Sequence, residues 1–227
     1  LAAGSLSLST GRRCLPYRTR VPRPGICGST DGCHAMPASN PKTKVSVTFT
    51  SDNVCPWCRK GKIELAAAMA SLDHLAEFHV VYKPWLLRPK QRDTTDSHRL
   101  ARWAQAKGLE GAVVDKAFEA HFDRKEDLSR LDTLLRIADE LQLEGARDFL
   151  LSDQGLDQLS LEIASHPRFD LVQNSGVPWI EFETKEGSGA LKVVPGAQGS
   201  ETFKLIIGQL LSKAGIATAT KPPPAKL

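Results

Sequence analysis

The first segment of the chain with a regular hydrophobic pattern runs from residue 44 to residue 50. Its polar and apolar residues alternate and several are β-branched, so the pattern predicts a strand. A loop, SDNVCPWC, follows, and residues 59–72 have a helical composition. Residues 77–85 are again apolar and β-branched and predict a second strand. Strand, helix and strand in this order form a βαβ unit, whose two strands lie parallel.

Residues 97–165 have apolar positions at helical spacing along almost their whole length. Ser97 is a candidate N-cap and Gly108 a candidate stop for the first of these helices, and Ser129 is a candidate N-cap for a later one. The apolar stripes indicate core faces rather than a cofactor site; they contain Val114, Phe118, Phe122, Leu131, Leu134, Ile137, Ala138 and Leu141.

The hydrophobic period changes again after residue 176. Two β-rich runs, 178–184 and 190–195, flank the turn-forming sequence KEGSG and predict a hairpin. A last helix follows, with Ser200 as its cap and Gly215 as its stop.

The order of the predicted elements is β-α-β, a helical block, then β-β-α. We therefore expect an α/β thioredoxin fold with an all-helical domain inserted between the second and third strands. This divides the chain into an N-terminal extension, the first half of the fold, the helical insertion, the second half of the fold and a disordered tail: 1–43, 44–84, 85–170, 171–215 and 216–227.

Charge is distributed unevenly along the chain. Residues 1–44 contain seven arginines and lysines and one acid, whereas residues 45–212 contain 20 basic and 25 acidic residues. The mildly acidic folded part offers no basic cluster for nucleic-acid phosphates. Its apolar runs are shorter than the roughly 18 residues that a membrane span needs. We therefore expect neither nucleic acid nor a membrane as a partner.

Residues 1–43 are rich in Ser, Arg, Pro and Gly and lack the long apolar run of a secretory signal. This composition is typical of a mitochondrial or plastid transit peptide. The alternative is that Met36 is the true start of the protein. None of the five cysteines lies beyond residue 58, which argues against a disulfide-stapled secreted scaffold. We expect an intracellular soluble protein, in the cytoplasm or in a mitochondrion or plastid.

Cys55 and Cys58 lie where the first predicted strand passes into a helix. A helix N-terminus has unpaired N–H groups and a partial positive charge, which lower the pKa of a cysteine there. Pro56 suits the first position of a helix. Cys58 is one turn away and can close a disulfide with Cys55, as thiol–disulfide exchange requires. Positive charge from the side chains that follow should favour the thiolate, and Asp52 should oppose it; the cations are Arg59, Lys60 and Lys62.

Two other uses of the cysteine pair are less compatible with the sequence. A structural zinc site of four cysteines needs a second Cys-x-x-Cys, and the histidines are scattered without ligand spacing. We therefore predict no metal. An inert structural disulfide does not suit an intracellular chain.

Pro178, in the sequence SGVP, precedes the predicted hairpin. An X-Pro bond can be cis at modest cost, and a native cis-proline usually marks a tight turn. The proline alone could simply open a strand. In a thioredoxin-type fold, however, this loop faces the cysteines, so we predict a cis-proline beside them.

Four motifs, SDNVCPWC-x-x-GK, FLLSDQG, GVPWIEF and PGAQGSETF, resemble the DsbA-like thioredoxin family, most closely its FrnE-type branch. The resemblance covers roughly residues 45–212 and implies thiol–disulfide oxidoreductase activity. It makes Cys55 the nucleophile, Cys58 the resolving cysteine and Pro178 the cis-proline, with Val177 before it. The same resemblance makes Pro56, Trp57 and Asp52 neighbours of the site and implies that substrate contacts come from Gly176, Val177, Gly196, Ala197 and Gln198.

The resemblance also defines partners and rivals. The expected substrates are protein or small-molecule thiols and disulfides. We expect no cofactor beyond the Cys55–Cys58 disulfide, with glutathione as a candidate reductant. We expect a monomer or a homodimer. Arg59 departs from the aromatic or aliphatic residue that relatives carry after the second cysteine. The alternatives are a glutathione-dependent isomerase or transferase, related to kappa-class and 2-hydroxychromene-2-carboxylate isomerase proteins, and a binding module without catalysis.

Overall fold

The computed structural model describes residues 42–184 and 191–215. The KEGSG turn, the transit-peptide interpretation, the choice of Met36 as start and the C-terminal tail all lie outside these residues. The division into five segments also stays a prediction.

The sheet has four strands in the order β2-β1-β3-β4. Strand β1 (Thr43–Ser51) pairs in parallel with β2 (Ala76–Pro84), as the βαβ unit predicts. On its other side it pairs antiparallel with β3 (Trp179–Thr184), which pairs antiparallel with β4 (Leu191–Pro195). The two halves of the fold therefore meet at β1. The loop that carries Cys55 follows the C-terminal end of this strand.

Helices α1 (Pro56–Ser71) and α8 (Ser200–Lys213) pack against each other and against the sheet. Successive side chains of a strand point to opposite faces, so alternate positions of β1 enter this core. The core that the sheet and the two helices share contains Val45, Val47, Phe49, Leu65, Ile180, Phe182, Phe203, Ile207 and Leu210.

The region between β2 and β3 is helical, which confirms the predicted insertion. Its helices are α2 (Thr95–Ala104), α3 (Glu110–Phe118), α4 (Leu131–Glu140), α5 (Ala146–Leu151), α6 (Leu156–Ala164) and α7 (Phe169–Ser175). A short 3₁₀ turn (Gln105–Lys107) and a π-helical turn (Glu119–Asp123) interrupt this series. The predicted apolar stripes pack into one cluster that also contains both cysteines.

Three features of the insertion differ from the sequence prediction. Ser97 is not an N-cap, because α2 begins two residues earlier and the buried Ser97 hydroxyl donates to the carbonyl of Thr94 inside the first turn. Ser129 precedes the observed N-cap, Arg130, and is instead held by Asp127. Helix α7 was not predicted, because its polar sequence has no clear apolar period.

None of the helices in the part of the chain that the structure describes is long and apolar enough to cross a membrane.

Candidate active site

Cys55 is the N-cap of helix α1, and its backbone is extended (φ −89°, ψ 115°). The helix begins at Pro56, whose missing N–H would be unpaired at this position in any case. The backbone N–H of Cys58 donates to Sγ of Cys55 at 3.3 Å. The thiol sulfur thus takes the place of the oxygen that usually caps a helix.

The pKa values of the two thiols are shifted in opposite directions. A hydrogen bond from the Cys58 side chain lowers the pKa of Cys55 below its ordinary value, and the N–H groups of Cys58 and Trp57 lower it further, while burial and the Asp52 carboxylate oppose the shift. Burial raises the pKa of Cys58 well above its ordinary value, and the Cys55 sulfur adds to the increase. The pair therefore holds an ionisable sulfur next to a protonated one.

The Val177–Pro178 peptide bond is cis and lies against Cys55. The Cys55 thiol donates to the carbonyl oxygen of Val177 across 3.6 Å. Gly176 precedes this pair with φ 80°, in the left-handed region that favours glycine, and ends helix α7. The unpredicted helix α7 therefore delivers the cis-proline loop to the cysteines.

Helix α1 also packs against the back of the proline loop. A Cβ added to Gly61 would lie 3.1 Å from Cγ of Pro178 and 3.5 Å from Cβ of Ala197. The N–H of Gly196 donates to the carbonyl of Pro178 at 2.8 Å, which ties the two loops together. The glycine in CPWCRKG thus gives the loops room to approach the helix.

The structure divides the residues predicted to bind substrate into two groups. Gly176 and Val177 line a cleft of about 460 Å³ together with Cys55. The N–H of Gly196 is instead bonded to the Pro178 carbonyl, Ala197 lies beside Gly61, and the Gln198 side chain donates to the carbonyl of Pro195 at 3.3 Å. A role of Gly196, Ala197 and Gln198 in substrate binding stays a prediction.

Asp52 is fully buried behind the cysteines. Its carboxylate accepts hydrogen bonds from the N–H of Leu87 at 2.7 Å and from the Thr94 hydroxyl at 3.0 Å, and Nε2 of His98 lies 3.8 Å from Oδ1. Burial alone would raise the pKa of Asp52, but His98 and these donors lower it. The carboxylate therefore stays charged and raises the pKa of both cysteines.

A buried polar cluster that the sequence did not predict surrounds Asp52. Its members come from the β1–α1 loop and from the start of α2: Asn53, Thr94, Ser97 and His98. The Asn53 amide donates to the Ser97 hydroxyl at 2.9 Å, so the cluster joins the cysteine loop to the insertion. The only feature of the sequence that indicates this cluster is the run of polar residues from 93 to 98. The same run is equally typical of an exposed helix N-terminus.

The cations after Cys58 are largely neutralised. Arg59 makes two hydrogen bonds to the carboxylate of Asp123, at 2.8 and 2.7 Å, and its guanidinium lies over the Phe122 ring. Lys62 forms an ion pair with Asp115. Local hydrogen bonds from Cys58 and Trp57 lower the pKa of Cys55. Acids of the helical insertion pair with Arg59 and Lys62, and the expectation that the cations after Cys58 favour the thiolate stays a prediction.

The cleft beside Cys55 is open to solvent along an apolar edge. Trp57 is 61% exposed and Leu87 is 41% exposed. Lys60 lies over the Trp57 ring, 5.6 Å from its centroid. Sequence reasoning identified Trp57 but missed Leu87, Arg88 and Arg92, which the β2–α2 connection brings to the cleft.

No group of three or more His, Cys, Asp or Glu residues within 42–184 and 191–215 is arranged to hold a metal ion.

The strand order, a Cys-x-x-Cys pair at a helix N-terminus and an adjacent cis-proline define a thioredoxin-fold protein, here with a helical insertion. Residues 46–208 match the DSBA-like thioredoxin domain family, and the chain therefore belongs to this family.

Solved structures show the same fold at low sequence identity. SCO1869 from Streptomyces coelicolor, described as a probable DsbA oxidoreductase, is 21% identical, with a TM-score of 0.56 over 80% of this chain and 94% of that chain. The cytosolic disulfide reductase DsbM from Pseudomonas aeruginosa is 18% identical, with a TM-score of 0.57 over 74% and 98%. Wolbachia pipientis alpha-DsbA1 is 15% identical, with a TM-score of 0.58 over 77% and 89%. No curated protein matches the chain.

Proposed function

We propose that the protein is a protein-disulfide oxidoreductase that exchanges disulfides through Cys55 and Cys58. The observation that carries the proposal is the asymmetry of the two sulfurs. Cys55 has a lowered pKa and, although it is only 3% exposed, lines the cleft, whereas Cys58 is 0% exposed, does not line the cleft and has a raised pKa. An ionisable attacker in front of a protonated second sulfur is the arrangement that stepwise exchange needs.

In the first step the Cys55 thiolate attacks one sulfur of a substrate disulfide. A bond forms between Cys55 and that sulfur, the substrate S–S bond breaks, and the other substrate sulfur leaves with the electron pair and takes up a proton from solvent. Once Cys55 is bonded, its negative charge no longer disfavours ionisation of Cys58.

In the second step the Cys58 sulfur attacks Sγ of Cys55. The Cys55–Cys58 bond forms, the mixed disulfide breaks, and the departing substrate sulfur takes up the proton that Cys58 loses. The substrate disulfide is thereby reduced and the cysteine pair oxidised by two electrons. The reverse sequence oxidises a substrate dithiol.

The cis-proline loop is the proposed contact for the substrate backbone. The Val177 carbonyl lies beside Cys55, and Gly176 lines the same cleft. An extended segment that places its sulfur at Cys55 would therefore run along this loop, with the exposed Trp57 and Leu87 on its other side.

The test is a pair of single variants, Cys58→Ser and Cys55→Ser. We expect Cys58→Ser to accumulate a mixed disulfide with a model disulfide, because the second step is blocked, and we expect Cys55→Ser to accumulate none. Both variants are made with Cys14, Cys27 and Cys33 changed to Ser, so that an adduct detected by intact-mass measurement after acid quenching lies on the Cys55–Cys58 pair. Wild-type protein that exchanges no thiols with the same disulfide would refute the proposal, and multiple turnovers by Cys58→Ser with glutathione would favour a transferase instead.

We further propose that glutathione reduces the oxidised pair and that the chain belongs to the FrnE-type branch. DsbM, a cytosolic reductase with the same fold, has a structure with glutathione. This likeness also supports an intracellular compartment.

Titration of the Cys55–Cys58 couple against glutathione buffers tests the proposed reductant. A cysteine pair that stays oxidised at every ratio of reduced to oxidised glutathione would contradict this role of glutathione.

A further inference from the structure

Two arginines in the cleft beside Cys55 have no acidic partner. Of the arginines within 42–184 and 191–215, all but three form an ion pair with a carboxylate. The exceptions are Arg88, Arg92 and Arg147. Arg88 and Arg92 both line the cleft that contains Cys55, whereas Arg147 lies on helix α5. The unpaired arginines are therefore concentrated at the active site.

The backbone holds these two arginines one turn apart. The N–H of Arg92 donates to the carbonyl of Arg88 at 2.9 Å, so residues 88 and 92 are related as neighbours on a helical turn. Like charges at this spacing repel each other unless an anion lies between or above them. The chain supplies no such anion from the residues that line the cleft with them.

Arg92 also lines a second cavity with three acids, Asp93, Glu126 and Asp127, none of which forms an ion pair with it. Asp93 accepts a hydrogen bond from the N–H of Thr95 at 2.9 Å. Asp127 accepts from Ser129, and Glu126 pairs with Arg136. The Arg92 side chain contacts a histidine, with its Nη1 3.3 Å from Nε2 of His121. Burial lowers the pKa of His121, which favours the neutral form that accepts this bond.

The rest of the cleft suits a small organic group. It has a volume of about 460 Å³ and an apolar edge formed by Trp57, Leu87 and Val177. Such volumes are typical of small-ligand sites, in which a few polar groups fix orientation. A guanidinium binds a carboxylate through two parallel hydrogen bonds, which gives both charge recognition and direction.

We propose that Arg88 and Arg92 select thiols and disulfides that carry a carboxylate close to the reacting sulfur. The carboxylate binds at the arginine turn, the apolar part lies along Trp57 and Leu87, and the sulfur reaches Cys55. This inference rests on the proposed exchange reaction and names its substrate class. The carboxylate can belong to a small acidic thiol or to an acidic residue beside a cysteine in a peptide.

The test compares disulfides of matched size and different charge. Prereduced full-length protein with Cys14, Cys27 and Cys33 changed to Ser reacts in a single turnover with 3,3′-dithiodipropionate, which is anionic, or with hydroxyethyl disulfide, which is neutral, and released thiol is measured after quenching. We expect the anionic disulfide to react about tenfold faster at low ionic strength, with the advantage reduced by salt. In the variant Arg88→Gln/Arg92→Gln the ratio of the two rates should fall close to one.

The ratio of the rates with the anionic and the neutral disulfide, rather than either rate alone, reports on recognition of the carboxylate. Removal of two cations can change the reactivity of Cys55 toward every disulfide, and this common factor cancels in the ratio. Arg147→Gln removes the remaining unpaired arginine away from the cleft and should leave the ratio at its wild-type value. A second pair of probes, the disulfide-linked dimers of Ala-Glu-Cys-Glu-Ala and Ala-Gln-Cys-Gln-Ala, extends the comparison to peptides.

The outcomes separate the sources and the two proposals. A charge preference in the small-molecule pair alone indicates a small acidic thiol, a preference in the peptide pair alone indicates an acidic protein segment, and both support the shared chemistry. Equal rates within both pairs, or a preference that survives in Arg88→Gln/Arg92→Gln, would overturn the inference and leave the exchange reaction intact. Failure to react with any of the four disulfides would refute the proposed function itself.

Discussion

The backbone nitrogen of Cys58 lies 3.3 Å from Sγ of Cys55 and donates a hydrogen bond to it. Cys58 thus supplies two donors that stabilise the Cys55 thiolate, its backbone N–H and its thiol. Cys58 is itself completely buried. The two cysteines are therefore coupled before any disulfide forms, and a change at Cys58 alters the acidity of Cys55.

The first prediction concerns this coupling. Cys58→Ala removes the side-chain donor but keeps the backbone N–H, so we expect the pKa of Cys55 to rise relative to wild type without losing all of its lowering. Cys58→Ser keeps a hydroxyl donor and should lie between the two. The alkylation rate of Cys55 as a function of pH measures each pKa, since only the thiolate reacts and the rate falls as pH falls through the pKa. Identical profiles for the three proteins would contradict the coupling.

The sequence was sufficient to predict the fold because its strongest signals are local. Alternation in β1, the hairpin and the helical stripes each arise from neighbouring residues, and their order defines the topology. The cysteines and Pro178 could also be located, since a redox pair and a proline are recognisable residue types. Leu87, Arg88, Arg92 and His98 could not, because they reach the site through a connection whose path depends on packing of the whole insertion. For the same reason the sequence could not predict that Asp123 and Asp115 pair with Arg59 and Lys62.

The second prediction concerns the buried charge behind the site. Asp52→Asn removes a carboxylate that raises the pKa of both cysteines, so we expect Cys55 to be alkylated faster at any pH below its pKa. The variant also loses a charged acceptor for buried donors, which should lower the free energy of unfolding by about 2 to 4 kcal/mol. Asp157→Asn, an exposed acid on α6, is the matched control and should change neither quantity.

The pH dependence of stability gives an independent check on Asp52. Its folded pKa is lowered below the ordinary value of 3.8. The stability it contributes is therefore complete above that value and is lost as pH falls through the folded pKa. Wild-type protein should show this acid-dependent loss, and Asp52→Asn should show a smaller one in chemical denaturation at a series of pH values. Parallel curves for the two proteins would mean that folding does not shift the pKa of Asp52, and a wild type that gains stability relative to Asp52→Asn as pH falls would mean that its pKa is raised.

The third prediction concerns Arg59, the residue directly after the second cysteine. Because its charge is matched by Asp123, Arg59→Gln should change the pKa of Cys55 by less than about half a unit. Asp123→Asn leaves the cation unpaired and should shift the pKa downward, and the double variant should return toward wild type. If Arg59→Gln alone raised the pKa as much as Cys58→Ala does, Arg59 would stabilise the thiolate directly.

The fourth prediction concerns the close approach of helix α1 to the proline loop. Gly61→Leu places a side chain where even a Cβ would lie 3.1 Å from Pro178, so we expect unfolding to become easier by about 1 to 3 kcal/mol. Gly199→Leu is the control, since nothing lies within 4 Å of a Cβ there. Denaturant titration measures both. Equal stability of the two variants would show that the loop can move away from α1 without loss.

The fifth prediction concerns Arg99, whose role is to stabilise the fold, in contrast to the two arginines of the cleft. The Arg99 side chain is 2% exposed, forms an ion pair with Asp96, and donates to the carbonyls of Phe149, Ser152 and Gln154 in the FLLSDQG motif. It thereby fixes the connection between α5 and α6.

Arg99→Lys keeps the charge but loses the planar set of donors that reaches these carbonyls together. We expect it to lower the free energy of unfolding by about 2 to 4 kcal/mol, because one buried and two part-buried carbonyls lose a charged donor. Arg147→Lys, an unpaired arginine on α5, should cost less than about 0.5 kcal/mol. At temperatures where the protein remains folded, Arg99→Lys should exchange thiols at the wild-type rate and keep the charge preference that Arg88→Gln/Arg92→Gln loses. A variant that is stable but slow would instead make the FLLSDQG connection part of the reaction.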